Sequence, residues 1–131
     1  MNDVLKSPEI SIVVPLYNEE KNIRLMHDRL VSSILKITSN FEIIYVNDGS
    51  KDNSFLELLK LSNEDERVKY INFSRNFGHQ IAVTAGLDYS KGAAVVIIDG
   101  DLQDPPEVIP EMYAKHKEGF EVVYGQRLKR K

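Results

Sequence analysis

Ala93-Ala94-Val95-Val96-Ile97-Ile98, followed at once by Asp99-Gly100-Asp101-Leu102-Gln103-Asp104, is the stretch that decides how the chain reads. The first half is short, continuous and rich in Val and Ile, as strands buried on both faces read. The second half turns abruptly acidic. Elsewhere in the chain the same grammar recurs at Ile10–Val14, Phe41–Val46, Val68–Phe73 and Glu121–Tyr124. Helical patterns separate these strands. Ile23, Met26, Leu30, Ile34 and Ile37 recur at three- and four-residue steps and make one apolar stripe. Phe55, Leu58, Leu59 and Ser62 suggest a second helix, with Ser50 or Asp52 as its N-cap. A third spans about His79 to Tyr89 and is rich in small residues, which implies close packing, and Gly92 helps to end it. Pro105 and Pro106 open a fourth, which Gly119 closes.

Repeated strand–helix units imply α/β architecture: an open, mainly parallel twisted sheet with helices on both faces. At 131 residues the chain is read as one domain, with 1–9 and 128–131 as loose ends. A net charge of −3 gives no electrostatic footprint for nucleic acid. The chain has no cysteine, so disulfides and thiolate metal sites are excluded and any metal is held by oxygen or imidazole. No signal-peptide pattern opens the sequence, and its apolar runs fall far short of the roughly 20 residues of a membrane helix. As written, the chain reads as soluble and cytoplasmic.

Ligands of open α/β sheets sit beyond the carboxyl ends of the strands. The residues just past each strand are therefore the test: Pro15-Leu-Tyr17-Asn18-Glu19-Glu20, Asn47-Asp48-Gly49-Ser50, Ser74-Arg75-Asn76-Phe77-Gly78-His79-Gln80, Asp99 to Asp104, and Gly125-Gln126-Arg127. Polar, charged and glycine residues gather at every end. Asp99 and Asp101 can reach a common point if the chain turns at Gly100, and hard divalent cations share oxygen ligands with substrate phosphates. Gln103 adds a neutral oxygen. The bland alternative is that the two carboxylates cap the next turn. Asp48-Gly49-Ser50 reads equally as a turn with a cap or as a carboxylate that meets a base or ribose. Tyr17 offers an aromatic face and a hydroxyl, while Asn18 and the two glutamates suit a helix N-terminus. Arg75 and Arg127 are candidate phosphate binders, with solvated arginine as the default. His79 has no metal-spaced partner; it is a candidate substrate-facing group at a helix start.

With these residues in view, the sequence resembles the inverting GT-A glycosyltransferases, and more narrowly the branch that loads sugars onto polyprenyl phosphates. The stretches that carry the likeness are Ser11-Ile-Val-Val-Pro-Leu-Tyr-Asn-Glu-Glu20, Val46-Asn-Asp-Gly-Ser50, Ser74-Arg-Asn-Phe-Gly-His-Gln80 and Asp99-Gly-Asp-Leu-Gln-Asp-Pro-Pro-Glu107. The resemblance implies that Pro15, Tyr17, Glu19, Val46 and Asp48 cradle the nucleoside of a UDP- or GDP-linked sugar. It assigns Asp99 and Gly100 to the ribose and diphosphate, and Asp101 and Gln103 to Mg²⁺ or Mn²⁺. Arg127 would contact the acceptor phosphate or the leaving diphosphate, which makes Asp101 and Arg127 the catalytic pair. It further implies transfer with inversion to a lipid phosphate at the cytoplasmic face of a membrane. Family members continue past the Gly-x-Arg position, so the chain is expected to be a truncated domain that binds donor and transfers poorly. A saccharide acceptor or a non-catalytic nucleotide-binding module is the alternative. A metal-dependent phosphohydrolase fits less well, because its acidic pair follows the first strand, and a receiver-like domain lacks a convincing acidic pair at Glu19-Glu20.

Overall fold

The computed structural model describes residues 7–117 and 123–124. Five strands form one parallel sheet: β1 (Ile10–Leu16), β2 (Phe41–Asn47), β3 (Val68–Asn72), β4 (Ala94–Ile97) and β5 (Val123–Tyr124). Their order across the sheet is β3-β2-β1-β4-β5. The connections carry α1 (Ile23–Ile34), α2 (Ser54–Glu64), α3 (His79–Tyr89) and α4 (Ile109–Lys117), with a 3₁₀ turn at Pro106–Val108 leading into α4. The chain winds outward from β1 through β2 to β3, then crosses back to the other side of β1. That reversal puts a topological switch point between β1 and β4.

Burial explains the sequence patterns. Every residue of β1 and β2 is buried, the polar Ser11, Glu42 and Asn47 included. β3 departs from the expectation: Val68 is buried, but Lys69 and Asn72 are exposed, because β3 lies at the sheet edge. One face of the sheet packs against α1, α2 and α4 through Ile12, Val14, Tyr45, Leu30, Leu58 and Ile109. The other face gathers Val13, Ile44, Val46 and Ile97 around Ala82 of α3. Small residues in α3 do serve close packing: a Cβ on Gly86 would stand 2.3 Å from Cγ1 of Val13. The helix backbone thus rests directly on β1.

Local ends differ from the sequence reading in instructive ways. α1 stops at Ile34 rather than running to Ile37. Its N-cap is Asn22, whereas Asn18 takes a left-handed conformation (φ 55°). α2 begins at Ser54 with Asn53, and neither Ser50 nor Asp52, at its N-cap; Asp52 stands one position further out and accepts hydrogen bonds from Ser54 N (2.9 Å) and Ser54 Oγ (2.6 Å). Gly119, expected to end the fourth helix, lies outside the described residues.

Two buried polar centres tie elements together. At the edge where the strands begin, Ser11 sits opposite Glu42 in the β1–β2 register and donates to it at 2.6 Å. Glu42 also accepts from Lys91 N (2.8 Å) and pairs with Lys69 Nζ (3.4 Å), while Ser11 Oγ accepts from Gly92 N (2.7 Å). Under α1, His27 Nδ1 lies 2.8 Å from the Tyr45 hydroxyl and Nε2 lies 3.4 Å from Asp65. A carboxylate beside Nε2 requires the proton there, so Nδ1 accepts from the phenol. Burial pushes the Tyr45 phenol up and keeps it a donor.

Burial also lowers the pKa of His27, against the opposing pull of Asp65. The unfolded chain therefore binds the extra proton first as pH falls. Stability is fully present above the unfolded value of about 6.5 and is lost as pH drops from there toward the depressed folded value, at up to about 1.4 kcal/mol per pH unit. His27→Asn is expected to remove this segment of the pH–stability curve, measured by urea denaturation between pH 7 and pH 5. Equal slopes in the two proteins would refute the assignment.

Candidate donor site at the switch point

A cavity of about 360 Å³ opens at the carboxyl ends of β1, β2 and β4, lined by residues from four loops. Pro15, Tyr17 and Glu19 come from the β1 loop, Asp48 from the end of β2, Asn76, Gly78 and His79 from the β3–α3 turn, and Asp99, Gly100 and Asp101 from β4. Of the residues assigned to the nucleotide sugar, all but Val46 line it. Val46 is fully buried among Val13, Ile44 and Ile97. Strand alternation turns it into the sheet–α3 core, which corrects its place in the site. Gln103 is exposed and does not line the cavity. Arg75 is likewise not a lining residue; its guanidinium lies 4.0 Å from the centre of the Phe77 ring. Arg127 and the Gly125-Gln126 pair lie outside the described residues.

At β4 the turn-closing reading is the one seen directly, in a residue that also lines the cavity. Asp101 accepts a hydrogen bond from Gln103 N at 3.1 Å, closing a turn in which Leu102, not Gly100, takes the left-handed conformation (φ 65°). Gly100 serves closeness instead. Its N donates to Pro15 O at 3.0 Å, and a Cβ there would stand 2.9 Å from Cβ of Leu16. The β4 end is thereby drawn against the β1 end, and Asp99 faces His79 with 3.7 Å between its Oδ1 and Nδ1.

The other loops are braced to one another as well as to their own helices. Ser50 Oγ accepts from Asn18 N (2.8 Å), Ser54 Oγ from Glu19 N (3.0 Å) and Asp52 from Glu20 N (3.2 Å). In return Asn18 Oδ1 accepts from Lys51 N (2.8 Å) and Glu20 from Asn53 N (3.1 Å). Asp48 is 5% exposed and holds the β3–α3 turn: Phe77 N donates to it at 2.7 Å, Gly78 N at 3.1 Å and Asn76 Nδ2 at 3.1 Å. Asn76 and Gly78 are site residues that the strand-end pattern puts in the right loop without assigning them a role. The signal for them lies in the Asn76-Phe77-Gly78-His79 run, where Gly78 adopts φ 107°.

Four of the lining residues are acidic, and His79 is the one basic residue among them. Among the described residues, no cluster of three or more His, Asp or Glu side chains is arranged as a metal centre. The fit to a cation is therefore to one that takes one or two protein carboxylates and completes its shell with phosphate and water oxygens, as Mg²⁺ does.

An open parallel sheet with a crevice at its switch point is the architecture in which α/β domains bind their ligands. The chain belongs to glycosyl transferase family 2, whose sequence profile matches residues 11–131. It is 58% identical over 123 residues to the uncharacterized glycosyltransferase YkcC of Bacillus subtilis (strain 168), covering 94% of this chain and 38% of that protein. It is 38% identical over 131 residues to the undecaprenyl-phosphate 4-deoxy-4-formamido-L-arabinose transferase of Proteus mirabilis (strain HI4320), covering 99% and 40% respectively. The chain thus spans about two fifths of the length of these relatives. Among solved structures, the mannosyltransferase PcManGT from Pyrobaculum calidifontis in complex with GDP-Man and Mn²⁺ shares the fold at a TM-score of 0.65 and 21% identity, over 73% of this chain and 28% of its own. TarS 1-349 of S. aureus in complex with UDP aligns at a TM-score of 0.62 and 26% identity, over 84% of this chain and 32% of that one. The expected α/β GT-A fold is the one observed. Family membership also removes the phosphohydrolase and receiver-like readings. Among the described residues, no helix is long and apolar enough to cross a membrane.

Proposed function

We propose that this domain binds a UDP- or GDP-linked sugar together with Mg²⁺ or Mn²⁺, and that the full-length enzyme transfers the sugar, with inversion, to a polyprenyl phosphate. The observation that carries the reading is the cavity at the switch point, with Asp99, Gly100 and Asp101 on one side and Pro15 and Tyr17 on another. A nucleoside diphosphate is anionic and meets four carboxylates there, so its binding calls for a cation. Asp101 is the proposed metal ligand, with Asp99 and Gly100 against the ribose and diphosphate. Gln103, exposed beside Asp101, would join only through its side-chain oxygen. A bound metal would neutralise the charge that develops on the leaving diphosphate. Tyr17 presents a half-exposed ring suited to a base. Arg127 is proposed as the phosphate-contacting residue. An acceptor phosphate is already anionic at neutral pH and needs no strong general base. Relatives named as undecaprenyl-phosphate transferases favour this acceptor.

Calorimetry with UDP, GDP and their sugars, with and without Mn²⁺, tests the donor half. Asp101→Asn is expected to weaken metal-dependent binding by about tenfold or more, because a neutral amide replaces an anionic ligand. Equal metal-dependent binding by both proteins would remove Asp101 from the metal site.

A further inference from the structure

Asn22 stands at the start of α1 without capping it with its side chain. Asparagine at an N-cap ordinarily has an extended backbone, and its side-chain oxygen accepts from an amide two or three residues on. Here the backbone is helical (φ −108°, ψ −13°) and the side chain makes no capping bond. Nδ2 reaches back instead and donates to Oε1 of Glu19 at 2.8 Å. A carboxylate only accepts, so the contact also fixes which way the amide faces. Glu19 is the one carboxylate that the β1 loop brings to the cavity. Its backbone is already held on both sides. Glu19 N donates to Ser54 Oγ at 3.0 Å, and Glu19 O accepts from Asn22 N (2.9 Å) and Ile23 N (3.1 Å). Those bonds leave the side chain its own rotamers, among which the carboxylate could swing between cavity and solvent. The bond from Asn22 removes that freedom. It occupies Oε1 and leaves Oε2 to accept from a ligand.

We propose that Asn22 is a positioning residue for the donor site: it holds the Glu19 carboxylate in the cavity, where Glu19 accepts an N–H or O–H of the nucleoside. The inference rests on the nucleotide-sugar reading above and adds to it a residue that does not itself line the cavity. A carboxylate repels phosphate oxygens, so the nucleoside, and not the diphosphate, is its partner. Holding one rotamer before the ligand arrives spares the cost of ordering it on binding. Capping and positioning make different demands on position 22. Serine caps a helix as well as asparagine does, yet its hydroxyl ends one bond short of the place that Nδ2 takes beside Glu19.

Calorimetry with UDP and GDP plus Mn²⁺, paired with urea denaturation of the same proteins, is the test. Asn22→Ser is expected to weaken nucleotide binding by about fivefold with a urea midpoint close to wild type, because capping capacity is kept and the bond to Glu19 is lost. Asn22→Asp keeps that capacity too but sets a second carboxylate against Glu19, and a loss of about tenfold or more is expected. In a Glu19→Ala background neither substitution is expected to cost further affinity, since the group through which each acts is gone. Wild-type affinity in both single variants, or losses that add in full to that of Glu19→Ala, would overturn the proposal. A fall in affinity seen only where the urea midpoint falls in step would mark a structural role and overturn it as well. If the wild type binds neither nucleotide with Mn²⁺, the donor-site reading itself fails and takes the ligand role of Glu19 with it. Wild-type binding that is indifferent to Asn22 sinks this inference alone.

Discussion

Glu42→Ala is expected to lower the unfolding free energy by about 3 kcal/mol, the scale for stripping a buried hydrogen-bonded carboxylate from its partners. Ser11 Oγ, itself fully buried, would lose its acceptor, as would Lys91 N. The exposed ammonium of Lys69 is rehydrated easily and adds little. The damage spreads beyond the pair, because Ser11 Oγ also accepts from Gly92 N and so pins the α3–β4 connection to the sheet. Glu42→Gln keeps one acceptor oxygen and is expected to cost about half as much. Urea midpoints at constant m-value provide the measurement. A Glu42→Ala protein within about 0.5 kcal/mol of wild type would show the centre to be energetically idle.

Gly49→Ala is expected to destabilise by a similar amount, about 3 kcal/mol, and for a different reason. The backbone at Gly49 holds φ 70°, which costs an L residue roughly 1 kcal/mol. The added methyl would then meet Arg75 C at 2.1 Å and Asn76 N at 2.3 Å, and backbone cannot swing aside as a side-chain tip does. Relief by displacing the 75–76 segment brings the remaining cost into the range of overpacking, roughly 1–3 kcal/mol. The same displacement would pull on the bonds from Phe77 and Gly78 to Asp48, so nucleotide affinity is expected to fall even under conditions where the variant is fully folded. A variant as stable as wild type, with unaltered nucleotide binding, would contradict the packing described at this turn.

Much of the fold is legible in the sequence because burial on both faces leaves an unmistakable mark. β1, β2 and β4 read as mostly continuous apolar runs, and the glycine- and acid-rich segments behind them fall on one edge of the sheet, as strand–helix alternation requires. Hidden from the sequence is whatever depends on which neighbour a residue meets. β3 carries apolar residues like the others, yet its edge position exposes Lys69 and Asn72. Val46 sits two residues before Asp48 and belongs to the same motif. Alternation puts it on the face of Ile44, and its burial there comes from α3, whose placement over that face the sequence does not state. Gly100 reads as a bend, but its neighbour across the β1–β4 contact, Leu16, is what demands a glycine. Asn18 and Ser50 both read as caps, and both instead bond to the opposite loop. The Asp99–Asp101 pair, as sequence, is ambiguous between capping and ligand roles. Asp101 does close a local turn and still lines the cavity, so the two readings are not exclusive.

Reciprocal bonds between segments 18–20 and 50–54 bind the ancestry of those two segments together. A substitution at Asn18 withdraws an acceptor from Lys51, and one at Ser50 withdraws an acceptor from Asn18, so neither loop drifts alone without loss. Compensating change is expected to arrive in pairs, and a chimera that imports one of these loops from a distant relative would inherit mismatched partners. Gln103 donates its N–H to Asp101 within its own turn, and the backbone makes that bond whatever side chain stands there. The turn bond at position 103 therefore survives diversification, whereas change at the 18–20 and 50–54 loops is epistatic.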